Sequence, residues 1–300
     1  MPTPNEKFDA IVVGGSYAGL SAALQLARAR RRVLVVDAGQ RRNRFAVDSH
    51  GFLGRDGQLA ADIAAAGRRD VAAYPNVHWH EGAALDARAE GDGFLVELDG
   101  AQAVHGRRLV LATGVRDELP QVPGLAERWG RSVFHCPYCH GYELQQGDIG
   151  VLANSELSFH HAMLLPDWGR VTLFTNGRFE PGDEQRAAMA RRGVIAIEET
   201  LVARIEDAAT VVLADGRRLP MAGLFTFGST HMASPLAERL GCAFEEGPIG
   251  RFIRTDERKQ TTVPGVYAGG DAARAAGNVA IAVADGAMAG TSAHQSLVFG

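Results

Sequence analysis

The stretch FDAIVVGGSYAGLSAALQLARARRRVLVVDAG, residues 8–39, decides the fold of this chain. An apolar run at residues 8–13 leads into a glycine turn, an alanine-rich helical segment and a second apolar run that ends in Asp37. In such a unit, glycines let the backbone approach a pyrophosphate, the helix N-terminus stabilises its negative charge, and the acid binds ribose hydroxyls. The order of these segments predicts a dinucleotide-binding unit, although Ser16 replaces the middle glycine of the usual motif. The candidate residues of this unit are Gly14, Gly15, Ser16, Ala18, Gly19, Asp37, Ala38 and Gly39.

The length and composition of the chain indicate two domains and exclude several classes of partner. Three hundred residues exceed what a single hydrophobic core usually serves. The net charge of -4 gives no electrostatic footprint for nucleic acid. No apolar run reaches the length of a membrane span, and the N-terminal run is too short for a signal sequence. We therefore expect a cytoplasmic protein that binds neither nucleic acid nor a membrane.

Two of the three cysteines stand in HCPYCHG, residues 135–141. The motif C-x-x-C-H occurs in c-type haem attachment sites, in parts of zinc sites and in dithiols that cycle through a disulfide. Because the cytoplasm is reducing, a catalytic pair fits Cys136 and Cys139 better than a structural disulfide does. The third cysteine, Cys242, is interpreted as a small hydrophobic core residue. At this point the sequence leaves the three chemistries open.

Two further segments resemble the FAD signatures of the pyridine nucleotide-disulfide oxidoreductases. VPGVYAGGDAARAAGNVAIAVADGAMAGTSAH, residues 263–294, reads as a strand, a Gly-Gly-Asp turn and a small-residue helix. RRLVLATGV, residues 107–115, resembles the strand that returns into the FAD domain. By this resemblance the aspartate meets the ribityl and phosphate region, and the N-H groups at the helix start stabilise negative charge on a reduced flavin. The resemblance adds the candidate FAD-binding residues Arg42, Asn43, His50, Ala84, Ala112, Thr113, Gly114, Gly270, Asp271, Asn278, Val279 and Ala280.

With the C-x-x-C in the middle of the chain, the whole sequence resembles the low-molecular-weight thioredoxin reductases. This resemblance implies an α/β fold of two Rossmann-like, three-layer nucleotide-binding domains, and a homodimer. It also implies a discontinuous FAD domain, residues 1–119 and 246–300, with an inserted NADPH-domain-like module at residues 120–245 that carries the cysteines. The stretches DELPQVPG and EEGPIG, rich in proline, glycine and acids, mark the predicted crossing points.

The family resemblance favours a redox dithiol over the other two chemistries. A c-type haem is attached after export from the cytoplasm, and no export signal is seen in the sequence. A zinc site needs a second pair of ligands, which the sequence lacks, so no metal is expected. By the resemblance, Cys139 is the flavin-side thiol and Cys136 exchanges with the substrate. His140 stands where thioredoxin reductases carry an acid-base aspartate, and imidazole titrates near neutrality; the alternative is a packing role. The motif resembles that of the small-molecule dithiol oxidases of the gliotoxin and holomycin type.

The second nucleotide motif of that family is degenerate in this chain. The glycines expected after the strand DIGVL are replaced by Ala153, Ser155 and Ser158. The next strand ends in Thr175-Asn176-Gly177, without arginines for the 2'-phosphate of NADPH or an acid for NADH. NADPH is therefore a doubtful cofactor. The adjacent His160 and His161 point apart on a helix and are interpreted as surface or packing residues.

Together these patterns predict an FAD-dependent thiol-disulfide oxidoreductase, and more specifically a dithiol oxidase that passes electrons to oxygen. One alternative is a thioredoxin reductase that uses NADPH or another donor such as ferredoxin. An alternative of another class is a flavin-binding redox sensor. The expected partner is accordingly a small-molecule dithiol or a thioredoxin-like protein.

Overall fold

The computed structural model describes residues 6–100 and 102–300. In chain order the strands are β1 (Lys7–Val13), β2 (Val33–Asp37), β3 (Asp48–Ser49), β4 (Gln58–Leu59), β5 (Val77–Glu81), β6 (Ala84–Glu90), β7 (Gly93–Leu98), β8 (Gln102–Leu111), β9 (Val115–Glu118), β10 (Val133–Phe134), β11 (Asp148–Leu152), β12 (Arg170–Phe174), β13 (Ala196–Glu198), β14 (Val202–Glu206), β15 (Thr210–Leu213), β16 (Arg218–Pro220), β17 (Gly223–Phe225), β18 (Ser229–Met232), β19 (Phe244–Gly247), β20 (Gly250–Ile253) and β21 (Val266–Ala268). The α-helices are α1 (Tyr17–Arg28), α2 (Ala60–Ala72), α3 (Pro137–His140), α4 (Ser158–Leu164), α5 (Asp183–Arg192), α6 (Leu236–Arg239) and α7 (Val279–Phe299). Across the described residues, no helix combines the length and the apolar character that crossing a membrane requires.

The chain divides into two compact units. Unit 1 holds the described residues up to Arg44 together with Ala60–Arg116 and Thr230–Gly300. Unit 2 holds Phe45–Leu59 and Asp117–Ser229. The segment that carries the glycine turn therefore lies in unit 1, and the C-x-x-C lies in unit 2.

Unit 1 is built on parallel strands in the order β5-β2-β1-β8, and β21 pairs in parallel with the last residues of β8. β7 pairs antiparallel with the first residues of β8, and β6 pairs antiparallel with β7. Successive residues of β1 point into two different buried layers, as the two-residue period of a strand requires. Ala10 and Val12 pack with residues of α1 and α7, whereas Ile11 and Val13 pack with residues of β6, β7 and α6. The carboxyl end of β1, where the glycine turn begins, is held between these layers.

Unit 2 is built on a parallel sheet in the order β10-β17-β11-β12-β13. One face packs against α4 and α5, with Val151 and Met189 in the shared core. The other face packs against the antiparallel sheet β14-β15-β16, with Leu152 and Val211 in the shared core. Both units are three-layer structures, which confirms the predicted α/β fold with two Rossmann-like domains.

The unit boundaries differ from the predicted domain boundaries at two places. The chain leaves unit 1 after Arg116, close to the predicted residue 119, but it returns at Thr230 and not at residue 246. Residues 230–245 belong to unit 1 because α6 buries Leu236 and Ala237 in the same core as β6. Phe45–Leu59, which the sequence places in the FAD domain, groups with unit 2.

Candidate functional sites

The segment at residues 14–19, which leads from β1 into the first turn of α1, is so tight that glycine is required at two positions. Gly14 has a φ of +105°, and a Cβ built on it would lie 2.2 Å from the Ala112 carbonyl oxygen. A Cβ on Gly19 would lie 1.7 Å from the Gly14 carbonyl oxygen. At Gly15 a Cβ would lie 2.7 Å from the carboxylate of Asp37. The turn thus presents bare backbone beside the acid that ends β2, as predicted for a dinucleotide.

The N-terminus of α1 is available to an anion. Ser16 precedes this 12-residue helix, and in the described structure its side chain makes no capping hydrogen bond. The first turn of any helix leaves N-H groups without helical partners and carries partial positive charge. Beyond Asp37, Gly39 adopts a φ of +71° and its N-H donates to the Asp37 carboxylate at 3.2 Å. We call residues 14–19 the open turn.

A second group of predicted FAD residues lies in unit 1 around Asp271. The Arg42 guanidinium donates to the Asp271 carboxylate, with Nη1 and Oδ2 2.9 Å apart. The Asn278 side chain caps α7 by accepting the N-H of Ile281 at 2.9 Å. The cap fixes the start of α7, so that the N-H groups of the first turn, at Val279 and Ala280, remain at the positive end of the helix.

The other predicted FAD residues fall in two places. The Asn43 amide donates to the Tyr17 hydroxyl at 3.1 Å, inside unit 1. Ala112, Thr113 and Gly114 follow β8 directly, Ala84 begins β6, and Ala18 is buried in α1. His50 lies instead in unit 2, where its Nδ1 is 3.5 Å from Glu143 and 3.7 Å from Asp56. The approach of His50 to FAD stays a prediction. The predicted residues of unit 1 fit FAD: a backbone turn suited to the pyrophosphate, an acid suited to a ribose, and two helix N-termini.

The cysteine segment lies in unit 2, between β10 and β11. Cys136 and Cys139 form a disulfide, and their Cα atoms are 5.3 Å apart. Cys136 is the extended residue before α3, and Pro137 occupies the first turn, where no helical hydrogen bond is lost. The side chains of Tyr138 and Tyr142 are 72% and 84% exposed. The segment therefore presents aromatic surface next to the disulfide in sequence.

His140 ends α3 and stacks on Phe134, with ring centroids 4.3 Å apart. Burial, followed by repulsion from the imidazoles of His135 and His50, lowers the pKa of His140 to about 4. Its Nδ1 is buried and has no hydrogen-bond partner among the described residues. Because the ring is neutral at physiological pH, it is competent to accept a proton from a thiol.

His161, which the sequence interprets as a surface or packing residue, makes a hydrogen bond in this region that sequence reasoning missed. It is 1% exposed in α4, whereas the neighbouring His160 is exposed. Its Nε2 lies 2.9 Å from the carbonyl oxygen of His135, the residue before Cys136, and its ring stacks on Phe227. Its place on the buried face of α4 was the only signal in the sequence. Throughout the described part of the chain, no group of three or more His, Cys, Asp or Glu side chains is placed to hold a metal ion.

The turn at residues 153–158, between β11 and α4, stands where the second glycine turn of the family is expected. The Ser158 hydroxyl accepts the N-H of Asn154 at 3.2 Å, and the Ser155 hydroxyl accepts the N-H of Leu157 at 3.3 Å. The Asn154 amide donates to the Phe227 carbonyl at 3.1 Å. Backbone donors that a glycine turn offers to a pyrophosphate are therefore engaged inside the protein. We call residues 153–158 the closed turn.

The end of β12 also uses its polar residues internally. The Asn176 side chain accepts the N-H of Val202 at 3.0 Å, and Thr175 is buried. Ala153, at the start of the closed turn, is buried as well, and its N-H donates to the Phe174 carbonyl at 2.9 Å. The tripeptide at 175–177 carries no charge that would recognise a nucleotide ribose or phosphate.

Known proteins resemble this chain over nearly its whole length. The crystal structure of the oxidoreductase from Agrobacterium tumefaciens is 57% identical, with a TM-score of 0.95, and the match covers 98% of this chain and 99% of that one. The crystal structure of HlmI is 39% identical, with a TM-score of 0.91, and the match covers 97% of this chain and 93% of that one. A protein named thioredoxin reductase tcpT, from Claviceps purpurea, is 33% identical over 304 residues, which are 97% of this chain and 94% of the relative.

The family model of the pyridine nucleotide-disulphide oxidoreductases matches residues 8–288. This range contains the open turn, the Cys136–Cys139 disulfide and Asp271. The family implies a flavin cofactor, FAD, which the residues of unit 1 fit. The chain therefore belongs to the pyridine nucleotide-disulphide oxidoreductase family, as an FAD-dependent disulfide oxidoreductase of the thioredoxin reductase-like type.

Proposed function

We propose that this protein is a dithiol oxidase, which converts two thiols of a substrate into a disulfide and delivers the electrons to oxygen. The observation that carries the proposal is the contrast between the open turn and the closed turn. The open turn offers backbone to a flavin nucleotide, whereas the closed turn has engaged the N-H groups of Asn154 and Leu157. This contrast supports thiols, and not NADPH, as the source of electrons.

The residues of unit 1 would hold the FAD. The open turn and the N-terminus of α1 suit its pyrophosphate, and Asp37 suits a ribose. Asp271, oriented by Arg42, and the start of α7 suit the ribityl and flavin region. When bound, FAD accepts two electrons from the reduced cysteine pair and passes them to the final acceptor.

The Cys136–Cys139 disulfide is the direct oxidant of the substrate in this proposal. A substrate thiolate attacks Sγ of Cys136, which forms a mixed disulfide and releases Cys139 as a thiolate. The second substrate thiolate then attacks the substrate sulfur of the mixed disulfide, so that the substrate leaves as a disulfide and Cys136 as a thiolate. The cysteine pair then holds two electrons, and two protons have left the substrate. With oxygen as acceptor, one dithiol and one O2 yield one disulfide and one H2O2.

His140 is the proton carrier that we propose for these steps. Because its Nδ1 is buried without a described partner, we assign Nε2 as the nitrogen that takes the substrate proton, so that Nδ1 carries the N-H of the neutral ring. Burial keeps the ring neutral while the disulfide is intact. Once Cys139 leaves as a thiolate, the new negative charge favours the imidazolium form. Proton uptake by His140 is thereby coupled to opening of the disulfide.

A second candidate function is the reduction of a thioredoxin-like protein, with NADPH or another donor such as ferredoxin. The name of the Claviceps purpurea relative, thioredoxin reductase tcpT, favours it. Reduction runs the same thiol exchange in the opposite direction. The two functions are therefore distinguished by the partner that reduces the flavin, and not by the cysteines.

Oxygen uptake with dithiothreitol as the substrate dithiol tests the proposal. We expect one H2O2 for each dithiothreitol oxidised, and no uptake above background in Cys139→Ser. Cys242→Ala is the matched control, since Cys242 is a buried cysteine of unit 1, and uptake should be unchanged. NADPH-dependent reduction of a thioredoxin without peroxide would establish the second candidate. Absence of turnover with either donor would favour a redox sensor.

A further inference from the structure

The helix that follows the closed turn makes a direct hydrogen bond to the cysteine segment. His161 Nε2 lies 2.9 Å from the carbonyl oxygen of His135. Because a carbonyl oxygen only accepts, Nε2 carries the proton and Nδ1 is the bare nitrogen. That Nδ1 is buried and has no partner among the residues that the structure describes. The peptide bond that leads into Cys136 therefore fixes the tautomer of His161.

His161 is a permanent donor and not a titrating base. Burial lowers the pKa of His161 to about 3, although its hydrogen bond to the His135 carbonyl acts in the opposite direction. The imidazoles of His135 and His160 add smaller repulsive contributions. The ring is consequently neutral at every pH at which thiol exchange proceeds at a useful rate.

Aromatic packing holds the His161 ring in this orientation. The ring stacks on Phe227 with centroids 3.8 Å apart and planes inclined by 10°, and it meets Phe225 edge-on at 6.0 Å. Phe225 in turn packs against Phe134 at 5.7 Å, and Phe134 carries the stacked ring of His140. One aromatic row therefore connects the donor with the proposed proton carrier.

The closed turn supports the same row. Asn154 donates to the carbonyl of Phe227, and the Ser158 hydroxyl binds the Asn154 N-H at the start of α4. The segment that binds a cofactor in a nucleotide-binding module here anchors Phe227, on which the His161 ring stacks, and the start of α4, which carries His161. Its side chains do so with contacts that lie wholly within unit 2.

We propose that His161 is a positioning residue of the redox pair, which holds the His135 carbonyl and thereby sets the place and reactivity of the Cys136 sulfur. The peptide between His135 and Cys136 carries the Cys136 N-H, and a donor at its carbonyl end polarises that N-H. A polarised N-H stabilises a thiolate beside it. The inference rests on thiol exchange at Cys136–Cys139 and does not depend on oxygen as the acceptor.

The test compares three variants in the FAD-loaded protein. His161→Phe keeps a ring against Phe227 but removes the donor, whereas His161→Gln restores an N-H near the position of Nε2. His160→Phe is the matched control, because His160 is the adjacent and exposed histidine of the same helix. The disulfide fraction is measured by thiol alkylation after anaerobic equilibration in reduced and oxidised dithiothreitol. In this equilibrium the pair gains two electrons and two protons from the dithiol.

For His161→Phe we expect the equilibrium to shift about tenfold towards the disulfide, which is about 30 mV for a two-electron couple. The single-turnover rate of reduction by dithiothreitol should fall by a similar factor of about ten, as loss of one hydrogen bond to a buried carbonyl implies. His161→Gln should stay within about twofold of the wild type. His160→Phe should leave both quantities unchanged.

A lower unfolding temperature in His161→Phe with unchanged equilibrium and rate would make His161 a packing residue only and overturn the proposal. An equal shift in His160→Phe would overturn it as well. If His161→Phe does not fold, His161→Met carries the same test, because methionine fills the space without a strong donor. Failure of the wild-type protein to make peroxide would contradict the proposed oxidase, while the alkylation equilibrium still decides the role of His161.

Discussion

The open turn of unit 1 and the closed turn of unit 2 each lead from a parallel strand of a Rossmann-like sheet into a helix, yet the N-H groups of the two turns have different partners. In the open turn, the backbone at Gly14 and Gly19 lies directly against other backbone, and the Ser16 side chain makes no capping hydrogen bond among the described residues. In the closed turn, Ser155 and Ser158 bind the N-H groups of the turn itself. The difference teaches that the fold of a nucleotide-binding domain does not establish nucleotide binding. The partners of the turn's N-H groups are the better guide.

The largest expected effect comes from breaking the open turn with Gly19→Ala. The added Cβ would lie 1.7 Å from the Gly14 carbonyl oxygen, so the turn must open. We expect the FAD bound per protein to fall by about tenfold or more, because the backbone can no longer approach the pyrophosphate. Bound FAD is measured by absorbance after denaturation of the purified protein. Ser155→Ala in the closed turn is the control and should bind as much FAD as the wild type. An equal loss of FAD in both variants would contradict the difference between the open and closed turns.

The next largest effect is expected for His140→Gln, which removes the proton carrier and keeps the disulfide. Loss of a positioned acid-base group typically slows proton transfer by about 10²- to 10⁴-fold, and we expect dithiothreitol oxidation to fall within that range. The measurement is the single-turnover rate of anaerobic reduction by dithiothreitol, with bound FAD as a control. A rate within about twofold of the wild type would show that His140 only packs against Phe134.

The pH dependence follows from the lowered pKa of His140, which is about 4. The neutral ring is the base, so activity should persist as the pH falls from 7 to 5. Below a pH of about 4 it should fall by up to tenfold for each pH unit, because protonation removes the base. The profile of kcat/KM for dithiothreitol oxidation checks this. In His140→Gln no base takes the substrate proton, so the rate should already fall steadily between pH 7 and 5 as the substrate thiolate becomes scarcer. An acid limb at the ordinary histidine pKa would contradict the buried, neutral ring.

The smallest effect is expected from partly reopening the closed turn. Ser155→Gly combined with Ser158→Ala frees the N-H groups of Asn154 and Leu157. Because the three residues that follow β12, Thr175-Asn176-Gly177, still carry no charge for a nucleotide, the rate of flavin reduction by NADPH should rise by less than about tenfold. Anaerobic absorbance at a fixed NADPH concentration measures it. A rise of a hundredfold or more would mean that the two serines alone exclude the cofactor.

The sequence signals of the expected flavin site are local. The glycine spacing of residues 14–19, the acid at Asp37 and the segments around Asp271 each lie within one strand-turn-helix unit. The loss of glycine at Ala153 and Ser155 was equally visible. The role of the serines that replace glycine could not be read from the sequence. The hydrogen bond between the Ser158 hydroxyl and the Asn154 N-H depends on how the turn folds.

The features that sequence reasoning missed depend on contacts between distant residues. His161 donates a hydrogen bond to the carbonyl of His135 because α4 packs beside the cysteine segment. The hydrophobic periodicity of the sequence does not predict such a bond. His50 lies in unit 2 near Glu143, and its predicted approach to FAD stays a prediction. The homodimer and the cytoplasmic location stay predictions.

Anaerobic mixing of the FAD-loaded protein with either NADPH or dithiothreitol tests the origin of the electrons. Flavin absorbance is followed after each addition, and air is then admitted. We predict that dithiothreitol bleaches the flavin, that Cys139→Ser abolishes this bleaching, and that air restores the colour. Micromolar NADPH should leave the wild-type flavin oxidised. Rapid bleaching by micromolar NADPH would contradict the dithiol oxidase and the functional meaning assigned to the closed turn.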